Sequence, residues 1–250
     1  MEKKDLGNCT NCVVSCLLST IALSMETNTI VYFMMDAKEK YKKWSLNENT
    51  TVEDLLKHYT QLAATFEQRA LDDEYIGPSK GPKQLNEKLS EYGYKNDAQI
   101  MDLGCGTGLA GETLFKLGYK NVDGLDFSDD MLKICKEKGI YRCLYKGLMG
   151  SEFCSELGVA ADQYDAVMGI GVFAPGHVKG KAMDDFVYVV KSGGLIAFYI
   201  NDIVEFDLNY GYHKKMDELS QEGKWKLLSK CHEPKYDKRV GGTFYIYQKL

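Results

Sequence analysis

Five short apolar runs, at residues 99–103, 121–126, 141–145, 164–170 and 194–200, recur along the chain, with helical stretches at 109–117, 129–138 and 181–190. Strand alternating with helix predicts a doubly wound parallel sheet, because parallel neighbours need a crossover that a helix supplies. The run Tyr164-Asp-Ala-Val-Met-Gly-Ile170 is nearly all apolar, as a central strand covered on both faces must be. The end of the chain differs. A helix over 216–222 precedes runs at 225–231 and 243–249 with no helix between them, so these two pair antiparallel. The expected fold is α/β: a doubly wound, mostly parallel seven-stranded sheet with an antiparallel C-terminal strand.

Upstream, regular pattern begins at Thr51. Thr51-Val-Glu-Asp54 resembles a capping box, and Leu55, Leu56, Tyr59, Leu62, Ala63 and Phe66 recur at helical spacing. Tyr75-Ile-Gly-Pro78 through Gly81-Pro82 reads as a turn-rich break, followed by a helix over 83–92 with Leu85 and Leu89 on one face. One domain is therefore expected over 51–250, with a helical lid at 51–95 and a core at 96–250. Hydrophobic content of 44% is enough for a real core.

Residues 1–50 read as an N-terminal extension, expected to be poorly ordered. Its apolar runs at 13–23 and 30–35 fall short of the roughly 20 residues a membrane span needs, and no small-residue cleavage site follows the first. A start at Met34 or Met35 would leave most of the extension dispensable. Cys9, Cys12 and Cys16 lack a nearby fourth ligand, so no metal site is expected. Five of the eight cysteines lie inside the α/β pattern, which suits free thiols and a reducing, cytoplasmic setting.

The segment Asp102-Leu-Gly104-Cys105-Gly106-Thr107-Gly108 sits where the first strand hands over to a helix. Ligands of open α/β sheets bind there, and glycines let the backbone turn sharply and come close to them. About twenty residues on, Asp126 ends the second strand, where an acid can accept from both hydroxyls of a ribose. A dinucleotide fingerprint would need a further glycine at position 109, which is Leu. Asp102 beside the turn would repel a pyrophosphate but suits a cofactor with an ammonium and a sulfonium charge. These features favour S-adenosylmethionine.

The stretch from Ile100 to Asp126, with Gly124-Leu-Asp-Phe-Ser128, the run Asp126-Phe-Ser-Asp-Asp-Met-Leu132 and the turn Lys191-Ser-Gly-Gly-Leu195, resembles the class I S-adenosylmethionine-dependent methyltransferases. Tyr75-x-Gly-Pro78, Tyr145-Lys-Gly-Leu148 and 242–249 resemble, more narrowly, the methyltransferase-like family that includes the Williams–Beuren syndrome region methyltransferase. The resemblance implies that Gly104, Cys105, Gly106 and Gly108 line the cofactor, with Asp102 near its amino-acid end. It further implies that Asp126 holds the ribose, that Phe127 lies beside the adenine, and that Lys146, Gly147 and Leu148 form the adenine edge. Gly169, Ile170 and Gly171 would flank the methionine part.

No catalytic residue follows, since methyl transfer needs alignment and dryness more than a base. Cys105 reads as packing, His177 as a solvated loop side chain, and Asn201 and Asp202 as rim residues. Net charge of −5 and lysines interleaved with acids argue against nucleic acid as a partner. A small-molecule acceptor is expected, with a protein acceptor and a catalytically silent cofactor-binding role left open.

Overall fold

A computed structural model describes residues 46–250. The apolar runs of the extension and Cys9, Cys12 and Cys16 lie outside the described residues. Leu46 is buried, against the loop that carries Gly176.

The lid comprises α1 (Val52–Leu62), α2 (Phe66–Asp72) and α3 (Gly77–Glu91). Thr51 caps α1 as the sequence predicts: its hydroxyl accepts from the Asp54 N–H, and the Asp54 carboxylate accepts from the Thr51 N–H. The third helix starts six residues earlier than expected, inside the stretch read as a break. Pro78 lies in its first turn, where a missing N–H removes no helical bond. Gly77 and Gly81 bring this turn close to the sheet, since a Cβ there would stand 2.6 Å from the Tyr236 ring and 2.5 Å from Ile170 Cδ1.

The core follows as β1 (Ile100–Leu103), α4 (Leu109–Lys116), β2 (Val122–Asp126), α5 (Asp129–Lys138), β3 (Cys143–Lys146), β4 (Tyr164–Phe173) and α6 (Met183–Val189). It ends with β5 (Val190–Asn201), α7 (Asp202–Glu205), α8 (Tyr212–Gln221), β6 (Trp225–Glu233) and β7 (Gly242–Lys249). The described residues form a seven-stranded sheet of order β3-β2-β1-β4-β5-β7-β6. β7 alone opposes the others, pairing antiparallel with both β5 and β6, as expected of a chain end without a crossover helix.

Strand order reverses between β1 and β4, where crossovers leave to opposite sides and a crevice opens at the carboxyl ends. Alternation along the central strands sends Ala166, Met168 and Ile170 of β4, with Leu195, Ala197 and Tyr199 of β5, towards Leu85, Leu89 and Leu114. The opposite face stacks Phe173, Phe186, Phe198 and Trp225. Each such side chain contributes about 1.5–3 kcal/mol on full burial, so both faces of β4 and β5 anchor the crevice. β5 begins four residues before the expected 194, because a register shift between Tyr164 and Ala166 lets Val190 pair early.

Candidate cofactor and acceptor site

The glycine loop leaves β1 through three left-handed residues, Gly104, Gly106 and Gly108, at φ of 76°, 54° and 93°. Their missing side chains serve different ends. A Cβ on Gly104 would lie 2.3 Å from Val172 Cγ1, so this glycine lets the loop touch the end of β4. A Cβ on Gly108 would press on Cys135 and Tyr141. Gly106 has nothing within 4 Å of that position among the described residues, so bare backbone faces open space there. Beside it, the buried Thr107 hydroxyl has no hydrogen-bond partner among the described residues.

Two carboxylates flank the loop. Asp126 binds it directly: Gly106 N–H donates to Oδ2 and Ser128 N–H to Oδ1, both at 2.9 Å. Each oxygen keeps a further lone pair, enough to accept from two vicinal hydroxyls. Asp102, 1% exposed, accepts a 2.7 Å bond from the Tyr141 hydroxyl. Burial pushes its pKa up to about 7; the Tyr141 bond acts against this, and the nearby Asp126 adds to it. Burial likewise raises Asp126, opposed by backbone donors. Among the described residues neither acid forms an ion pair, so the crevice holds negative charge without a counter-ion.

These features fit S-adenosylmethionine: open backbone, an unpartnered buried hydroxyl, a diol acceptor, and acids awaiting a cation. They do not fit a pyrophosphate, which would add negative charge to both carboxylates.

The remaining expected residues fall at varied distances from this centre. Phe127 follows Asp126 and meets the lid, edge-to-face with Tyr59 at 6.0 Å between centroids. Gly147 donates to the Asp126 carbonyl at 3.1 Å, which brings the loop after β3 beside β2, while the Leu148 side chain is exposed. A Cβ on Gly147 would meet Leu157 O at 2.7 Å, so packing requires the glycine. Cys105 is buried, with Cys135 beside its sulfur, and that contact and burial both raise its pKa. It packs, as the sequence suggested. Gly169 lies short of the rim, and its missing side chain makes room for the Phe186 ring at 2.5 Å. Gly171 and Val172 instead reach the loop and lid, since a Cβ on Gly171 would stand 2.6 Å from the Tyr75 hydroxyl.

His177 departs from expectation, because it is tied into the lid rather than solvated. The Pro175 carbonyl can only accept, so Nδ1 carries the proton that bonds it at 2.9 Å. Nε2 is then the acceptor for the Tyr59 hydroxyl at 2.5 Å. Burial pushes the His177 pKa down to about 4, so the ring is neutral at physiological pH. Asn201 caps α7 by accepting from Ile203 N–H, and Asp202 accepts from His232, so both rim residues are engaged.

Tyr59, Thr107 and Tyr141 were absent from the expected site. Tyr59 appears in the sequence as one more apolar position of α1, and Tyr141 as the start of a strand. Their partners lie 118 and 39 residues away, beyond any local pattern.

Residues 100–194 match a family model described as methyltransferase domain. Among solved structures, magnesium protoporphyrin IX methyltransferase from Synechocystis PCC 6803, with bound S-adenosylmethionine, aligns at a TM-score of 0.58 and 13% identity, covering 81% of this chain and 100% of that one. An S-adenosylmethionine-dependent methyltransferase from Leishmania major aligns at 0.59 and 13% identity, covering 77% and 81%. At these identities the structures attest the fold, and the family match is confined to residues 100–194. A methyltransferase-domain match over residues 100–194, on a fold shared with S-adenosylmethionine-dependent methyltransferases, supports S-adenosylmethionine as the cofactor. The chain is similar to human methyltransferase-like protein 27, at 28% identity over 174 residues, 69% of each chain.

Proposed function

We propose that the chain transfers a methyl group to a small-molecule acceptor held between the lid and the carboxyl end of β4. The observation that carries this is the bridge formed by Tyr59, which joins α1 both to Phe127 on the cofactor side and to His177 on the β4 loop. A lid fastened at both edges favours a compact acceptor over a folded surface or a polyanion, and the net charge of −5 agrees.

S-adenosylmethionine supplies a methyl carbon activated by its bond to a positive sulfur. In this reading Asp126 holds the ribose diol, Asp102 faces the ammonium group, and Gly106 admits the cofactor against bare backbone. Phe127, Gly147 and Leu148 border the adenine. Gly171 and Val172 replace Gly169 as the β4 residues nearest the methionine part. Tyr59, Phe66 and Tyr75 exclude water, which strengthens every charge contact within. The acceptor is aligned for in-line displacement, and no side chain is assigned as a base. No helix among the described residues is long and apolar enough to cross a membrane.

The test is transfer of a labelled methyl group from S-adenosylmethionine to a fractionated extract. Label in the small-molecule fraction supports the proposal. Label found only in protein or RNA overturns it, and tight cofactor binding with no transfer indicates a silent binder.

A further inference from the structure

We infer that Tyr141 positions the cofactor, threading its ring through a slot cut by three glycines so that its hydroxyl fixes the Asp102 carboxylate. Tyr141 stands between α5 and β3, outside the loop that defines the site. A Cβ on Gly111 of α4 would lie 2.1 Å from its hydroxyl oxygen, one on Gly124 of β2 would lie 3.1 Å from Cε1, and one on Gly108 would lie 3.2 Å from Cε2. Any side chain at Gly111 would fall on the ring and its hydroxyl. The slot ends at Asp102 Oδ2, 2.7 Å from the tyrosine oxygen. The third glycine of the loop thus serves Tyr141, not open space as Gly106 does.

The consequence is chemical as well as steric. Asp102 must be ionised to attract an ammonium group, yet it is buried beside Asp126. Tyr141 donates the hydrogen bond that favours the ionised form, and it ties down one oxygen. Among the described residues, Tyr75 and Cys105 also feel the Asp102 charge, and neither carries a positive charge. Burial raises the Tyr141 phenol, with the Asp102 charge acting the same way, so the hydroxyl remains a donor at physiological pH.

The inference rests on S-adenosylmethionine occupying this crevice, and the test separates the two. Calorimetric affinities for S-adenosylhomocysteine and 5′-methylthioadenosine are compared in the wild type and Tyr141→Phe, between pH 6 and 8. The second ligand keeps the adenosine and lacks the amino-acid part. Phenylalanine fills the slot and removes only the donor, so affinity for S-adenosylhomocysteine falls about tenfold, the scale of one hydrogen bond to a charged group. Its rise with pH moves to higher pH, because Asp102 holds its proton longer. Affinity for 5′-methylthioadenosine stays within twofold. Gly111→Ala, which helix propensity favours but which displaces the hydroxyl, repeats the pattern. Equal weakening of both ligands, or no change in either, overturns the positioning role. A wild type that binds neither ligand overturns the cofactor reading itself.

Discussion

Gly106→Ala separates a glycine needed by the fold from one needed by the ligand. At φ 54° a side chain is disfavoured, which costs about 1 kcal/mol. Among the described residues nothing stands within 4 Å of the new methyl, so no clash adds to that cost. For a chain of 250 residues, 1 kcal/mol lowers Tm by roughly 2–4 °C. Gly139→Ala is the control: φ is 60°, the position is equally open, and it lies at the far end of α5. Both variants should melt alike. Only Gly106→Ala puts a methyl where the cofactor would rest on bare backbone, and overpacking of about 1–3 kcal/mol there weakens binding roughly 5- to 150-fold. Gly104→Ala should show the converse emphasis, because its methyl meets Val172 before any ligand arrives, and Tm should fall by about 6 °C or more. Calorimetry with S-adenosylhomocysteine and a thermal melt of each variant suffice. Gly106→Ala binding within twofold of wild type would refute the claim that the cofactor approaches this backbone.

Other outcomes follow from the same geometry. Asp126→Asn should weaken S-adenosylmethionine binding about 10- to 100-fold by calorimetry, since two backbone donors and, in the proposed reading, the ribose diol share its oxygens. His177 is depressed to about 4 from its usual 6.5, so the unfolded chain binds the extra proton between these values. Stability contributed by the neutral ring is therefore full above pH 6.5 and lost as pH falls towards 4, by at most about 3 kcal/mol. His177→Gln should flatten the fall in Tm over that window relative to wild type; parallel curves would show that the ring is solvated. Arg142 makes two bonds to the buried Asp123, at 2.9 and 2.6 Å, while Tyr164 donates a third. Arg142→Met should lower stability by about 2 kcal/mol in urea unfolding and leave cofactor affinity unchanged.

What the sequence revealed tracks how local each feature is. The loop Asp102–Gly108 and Asp126 sit at strand ends whose apolar runs mark themselves, and Asp126 reaches Gly106 only twenty residues back. The start of α3 was hidden because Pro78, Gly81 and Pro82 individually signal a break. Tertiary packing overrode them, as Tyr236 and Ile170 take up the space that Gly77 and Gly81 leave. His177 looked like an ordinary loop residue because its partner Tyr59 comes from α1, 118 residues earlier in the chain. Gly169 was placed by position in a motif, whereas the structure gives its missing side chain to Phe186.

Burial strengthens the preference for a positive ligand that Asp102 sets. Two unit charges about 5 Å apart at an effective dielectric near 20 interact by roughly 3 kcal/mol. A buried anionic pocket therefore favours a cation, and disfavours a diphosphate, by an amount comparable to a good hydrogen bond. With Asp102 near pH 7, the free protein partly meets this need by holding a proton. Binding a sulfonium and ammonium ligand must then release that proton. Affinity should rise with pH up to about 7 and level off above it, and calorimetry in buffers of different ionisation enthalpy would reveal the released proton. A flat profile would mean that Asp102 is already ionised in the free protein, which would leave its burial without electrostatic consequence for the cofactor.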